Sequence, residues 1–189
     1  MFQLVVFLTA CCFVATVHAA AANCKSGPFS AAVSLGGPGG SGVYKLMQST
    51  FPQEEQCVYI GPPQTTPTKE SPATYYWGWK KDNKWEKRTG TVYPDGASIM
   101  DHDDVYGNTN TTLVYTEKGK CDVTLFHGQS NKLEGGPFVE LWQHTEAEGG
   151  SNEVECCQKH FKEELTRQGK TLTDATNRSN GCDPYPELK

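Results

Sequence analysis

Short runs of alternating apolar and polar side chains fill most of the chain beyond residue 42, each closed by Gly, Pro, Asn or Asp. That period of two predicts half-buried strands over 43–50, 56–60, 73–81, 85–93, 97–100, 110–116, 120–127 and 138–144. Tyr75, Trp77 and Trp79 share one face of the third. The Pro-rich segment 61–72 reads as a surface loop and Pro94-Asp95-Gly96 as a turn. Residues 24–42, rich in Gly, Ala and Ser, read as a short helix or loop leading into the strands. About eight short strands with turns between them predict an all-β barrel or sandwich.

The period changes once, near the end. Val154, Cys157, Phe161 and Leu165 recur at helical spacing and form one apolar stripe. Asn152 with Glu155 suggests a capping pair, and Gly169 stands where a helix ends. Glu155/Lys159 and Glu163/Arg167 are spaced for ion pairs along the helix. The pattern predicts a barrel with one amphipathic helix laid against its outside.

Residues 1–19 differ from everything after them. They are apolar and uncharged from Phe2 on and run into Ala19-Ala20-Ala21-Ala22, the form of a signal peptide with its cleavage region, which makes 20–189 the mature domain and the protein secreted. No later stretch is apolar enough to span a bilayer. Beyond this leader six cysteines remain: Cys24, Cys57, Cys121, Cys156, Cys157 and Cys182. An even number in a secreted chain implies three disulfides, with fifteen possible pairings. No Cys-x-x-Cys occurs and the histidines are scattered, so no metal and no cofactor is expected. Asn110 and Asn177 begin glycosylation sequons. A net charge of −5 argues against nucleic acid. No G-x-S-x-G, H-E-x-x-H or Cys/His pair stands in a readable context, which argues against an enzyme.

The paired cysteines bear on which side chains face inward. Consecutive residues on a helix point about 100° apart, so Cys156 and Cys157 each tie the helix to a different element. If Cys121 bonds to that helix, Val123 and Leu125 lie under it, and Asp122, Thr124 and Phe126 face the interior. In the following strand Phe138, Glu140 and Trp142 share a face. A carboxylate between two aromatics suits a ligand pocket, because a buried acid needs a cation or a proton. An ammonium supplies the first, and aromatic faces favour it. Internal partnering of Asp122 and Glu140 by Tyr or Lys, or a place at the wet rim, is the plainer alternative. Arg88 is the only Arg within a predicted strand, which favours a cationic over an anionic ligand.

At these residues the chain resembles a family. Cys121-Asp122-Val123, Glu140-Leu141-Trp142 and Cys156, in that order, resemble the biogenic-amine-binding signature of tick salivary lipocalins. Glu140 through Cys156-Cys157 to Cys182 is also similar to moubatin and the soft-tick complement inhibitor. The resemblance implies an eight-stranded antiparallel lipocalin barrel with a C-terminal helix, secreted in saliva as a monomer. It implies the disulfides Cys24–Cys156, Cys57–Cys182 and Cys121–Cys157. Its expected action is to sequester a small cationic amine, histamine or serotonin, and so suppress inflammation and haemostasis at the bite. Asp122 and Glu140 would take the amine, with Trp142, Phe138 and Trp77 as aromatic walls. The chain departs from the pattern in having no Asp or Glu across 25–53. A moubatin-like eicosanoid binder or complement inhibitor is the alternative.

Overall fold

The computed structural model describes residues 23–36, 42–52, 55–128, 136–147 and 149–187. The expected leader, residues 1–19, lies outside the described residues. A short helix α1 (Ala31–Leu35) precedes eight strands: β1 (Tyr44–Ser49), β2 (Gln56–Ile60), β3 (Ala73–Lys81), β4 (Lys84–Asp95), β5 (Ser98–Asp103), β6 (Gly107–Glu117), β7 (Cys121–Gly128) and β8 (Phe138–His144). Each strand pairs antiparallel with the next, and β1 pairs with both β2 and β8. The sheet therefore closes on itself as an eight-stranded barrel, which leaves no long edge to aggregate. Helix α2 (Asn152–Arg167) follows outside the barrel, and the two-residue strand β9 (Thr176–Asn177) adds to β1. Among the described residues no helix is long and apolar enough to cross a membrane.

Alternation along β7 and β8 divides the molecule into two packed layers. Val123, Leu125, Val139 and Leu141 point outward and meet Val154, Phe161 and Leu165 of α2 in one buried cluster. The opposite faces of the same strands line the interior. Three disulfides join Cys24 to Cys156, Cys57 to Cys182 and Cys121 to Cys157. Consecutive helix cysteines thus hold α2 to β7 on one side and to the N-terminal segment on the other. By closing long loops, such bonds restrict the unfolded chain most.

Some local expectations change. The α2 cap is Ser151, whose Oγ accepts the Val154 N–H; Asn152 is already helical. At the other end Gly169 adopts φ +67°, and Lys170 N–H reaches back to the Leu165 carbonyl, as a Schellman ending requires. Along α2, Glu163 pairs with Lys159 and Arg167 with Glu164, in place of the two ion pairs expected from spacing. Most consequential is β5, which continues through Asp101 and Asp103 instead of stopping at Met100.

Candidate functional site: an acid-lined cavity

The barrel encloses a cavity of about 170 Å³. Leu46, Val58, Ile60, Val92 and Ile99 give it apolar walls, and Ser34 and Leu35 of α1 reach into it. Helix α1 is fixed there by the Ala31 N–H, which donates to the Gly96 carbonyl in the β4–β5 turn. Aromatic side chains supply much of the remaining lining: Tyr44, Phe51, Tyr75, Trp77, Tyr106, Phe126 and Trp142.

Four carboxylates share this apolar chamber. Glu140 is buried on β8, where the Trp142 indole N–H donates to Oε2 at 3.0 Å, Ser49 Oγ to Oε1 at 3.3 Å and Thr124 Oγ1 to Oε2 at 3.5 Å. All three donors are neutral, so they orient the carboxylate without cancelling its charge. Burial pushes the Glu140 carboxyl up to about 7; its hydrogen bonds work against that rise and the nearby Asp101 adds to it. Asp122, buried on β7, accepts Ser34 Oγ at 2.8 Å; its Oδ1 makes no hydrogen bond of good geometry, though the Thr116 hydroxyl on the paired strand offsets part of the cost of burial. Burial raises it to about 6.

Asp101 and Asp103 come from β5. Asp101 accepts Tyr75 Oη at 3.1 Å and Thr109 Oγ1, and burial lifts it to about 6. Asp103 Oδ1 accepts the backbone N–H groups of Val105 and Tyr106 at 2.6 and 2.8 Å, which fixes the turn that carries Tyr106 over the cavity. No Lys, Arg or His occurs among the described lining residues. Arg88 lies outside, over the Trp79 ring at 5.2 Å and 3.6 Å from Glu86. Arg178 is buried, but its guanidinium donates to the Phe51 carbonyl and does not line the cavity. Chemically, this is a largely apolar chamber that gathers four carboxylates with no basic side chain among its described lining residues, and burial makes Glu140, Asp122 and Asp101 weaker acids than usual.

No family model matches the chain. A solved structure of AM182 in complex with serotonin superposes with a TM-score of 0.66 at 25% identity, covering 85% of this chain and 97% of that one. The barrel, the outer helix and this likeness settle the architecture. This is a lipocalin fold. A bovine odorant-binding protein, a deswapped triple mutant, shares the lipocalin barrel at 16% identity and TM-score 0.53, over 77% of this chain and 98% of its own. Lobster apocrustacyanin A1 does so at 13% and 0.53, over 75% and 77%. At such identities these two likenesses concern the fold alone.

Of the lipocalin-site residues expected from sequence, Asp122, Glu140, Trp142 and Trp77 line the cavity. Phe138 is not among the described lining residues; it packs behind Phe51, at a ring distance of 4.8 Å, and Phe126, which are. Asp101, Asp103, Tyr75 and Tyr106 line the cavity without having been expected there from sequence. Tyr75 shares a strand face with Trp77 in the sequence, whereas Asp101 and Asp103 continue the alternation of Ile99 within a stretch that has the composition of a turn. Of the two sequon asparagines, Asn177 is exposed on β9, whereas the side-chain oxygen of Asn110 on β6 is buried.

Proposed function

We propose that this lipocalin-fold protein binds and sequesters a small cationic amine, histamine or serotonin, within the barrel. One observation carries the reading: four cavity carboxylates with no lining cation among the described residues. An ammonium entering this chamber replaces protons on the buried acids and turns an electrostatic cost into an attraction. The apolar and aromatic walls suit the ligand's ring. The likeness to the serotonin-bound AM182 supports the same reading. Three disulfides fit an extracellular setting. Together with the tick-lipocalin signature at Asp122 and Glu140, they support secretion in saliva, where removing the amine suppresses inflammation and haemostasis at a bite. The reading is of a binding protein, not an enzyme. We assign Asp122 and Glu140 as the ammonium anchors, with Asp101 and Asp103 extending the anionic lining.

Calorimetric titration with serotonin, histamine and a leukotriene tests this directly. A saturable complex with an amine and none with the leukotriene is the expected result. The reverse outcome transfers the protein to the eicosanoid-binding class, since a fatty-acid carboxylate would then have found a cation that the described lining lacks.

A further inference from the structure

Among the described residues seven buried side-chain polar atoms lack a hydrogen-bond partner, and two of them belong to cavity-lining residues. One is an acceptor, Asp122 Oδ1; the other is a donor, the indole N–H of Trp77. They stand on β7 and β3, four strands apart in a ring of eight, and so on opposite walls of the barrel. Trp142, the other tryptophan of the lining, already gives its N–H to Glu140. Trp77 also has little ring face to offer, because Trp79 and Tyr106 pack against it at ring distances of 5.3 and 5.6 Å. Its N–H is covered in the ligand-free barrel, so an acceptor reaches it only as a ligand displaces the neighbouring side chains. An indole nitrogen only donates, so its complement is an acceptor.

We propose that Trp77 is a specificity-determining residue: it selects, among cationic amines, those whose ring carries a hydrogen-bond acceptor at the end remote from the ammonium. The inference rests on the amine reading above and narrows the ligand class, to a hydroxylated aryl-ethylamine over its unsubstituted counterpart. The physical basis is asymmetry. A buried donor left unpaired by one ligand and paired by another separates the two far more than a donor open to water does.

The experiment compares serotonin with tryptamine, which has the same ammonium and indole ring but no hydroxyl. The protein should bind tryptamine about tenfold more weakly than serotonin. Trp77→Phe should bring the serotonin and tryptamine affinities together, whatever the smaller ring does to both, with circular dichroism showing that the variant is folded. In the unsubstituted protein, the Trp77 indole N–H proton resonance should move downfield with serotonin and stay in place with tryptamine, a readout that needs no variant. A serotonin preference that survives in Trp77→Phe, or equal affinities in the parent, overturns the role of Trp77 while leaving the amine reading intact. Failure of serotonin, tryptamine and histamine alike to bind the parent overturns the amine reading itself, and this inference with it.

Discussion

Replacing Glu140 with Gln is expected to weaken serotonin binding ten- to hundred-fold and, at neutral pH, to stabilise the ligand-free protein. Both effects have one source. Glu140 is buried in a layer that provides three neutral donors and no cation. With ligand bound, the carboxylate makes a charge-assisted contact worth about 1.5–3 kcal/mol, which the amide cannot reproduce. Without ligand, the same charge is a liability. Burial makes it a weaker acid, its pKa raised to about 7 in the folded protein from an ordinary value of 4.5. The stability that the protonated form provides is complete below about pH 4.5 and is lost as pH rises through 7. Gln does not titrate and keeps the hydrogen bond from Trp142. The variant should therefore exceed the parent by roughly 1–3 kcal/mol at pH 7.5, with the gap closing near pH 5. Chemical denaturation at the two pH values measures this, and calorimetry measures the affinity. Unchanged serotonin binding would remove Glu140 from the anchor.

Acidification should weaken serotonin binding well before ordinary carboxylates protonate. An aliphatic ammonium keeps its charge throughout this range, so the change lies in the protein. In the proposed complex the binding-competent form has Glu140 and Asp122 ionised, and burial has raised their pKa values to about 7 and about 6. Between pH 8 and 5.5 the competent fraction falls by about 30- to 100-fold, and affinity should follow. Unperturbed acids would place the loss near pH 4; desolvation moves it up into the neutral range. Protonating these acids does not cost the free barrel stability, since their folded values lie above the unfolded ones. His144 works in the opposite sense: burial lowers it, so the stability it contributes is lost as pH falls below its ordinary 6.5. Circular dichroism at pH 5.5 checks that the barrel is intact while the titrations are run. In Glu140→Gln the same pH series should be markedly flatter.

The barrel was legible because its signals are local. Period-two runs ended by turn residues identify strands one at a time, and the stripe Val154, Cys157, Phe161, Leu165 marks the one long helix. Glu140 and Trp142 were legible because a carboxylate flanked by aromatics on one strand face is out of place against solvent. Asp101 and Asp103 were not, since Asp101-His102-Asp103-Asp104 after Met100 has the composition of a solvent-exposed turn. Pairing on both sides, Asp101 with Val92 of β4 and Thr109 of β6, Asp103 with Gly90 and Gly107, keeps that stretch in the barrel wall. Phe138 shows the complementary limit. Alternation reveals which strand face a side chain is on, but not which neighbours cover it, and Phe51 and Phe126 stand between Phe138 and the cavity lining. The cap at Ser151 was displaced by one residue for a similar reason: Ser and Asn both cap well, and only the backbone decides between them.

Serotonin titrated into the protein at pH 6.5, in two buffers of different ionisation enthalpy, tests the central claim most directly. If the ammonium is held by the buried acids, binding must expel protons from Glu140 and, in smaller part, from Asp122 and Asp101. From acidities of about 7 and about 6, the release should come to about one proton per serotonin. Serotonin bound with no proton release at that pH would mean that the acids are bystanders, and would contradict the account.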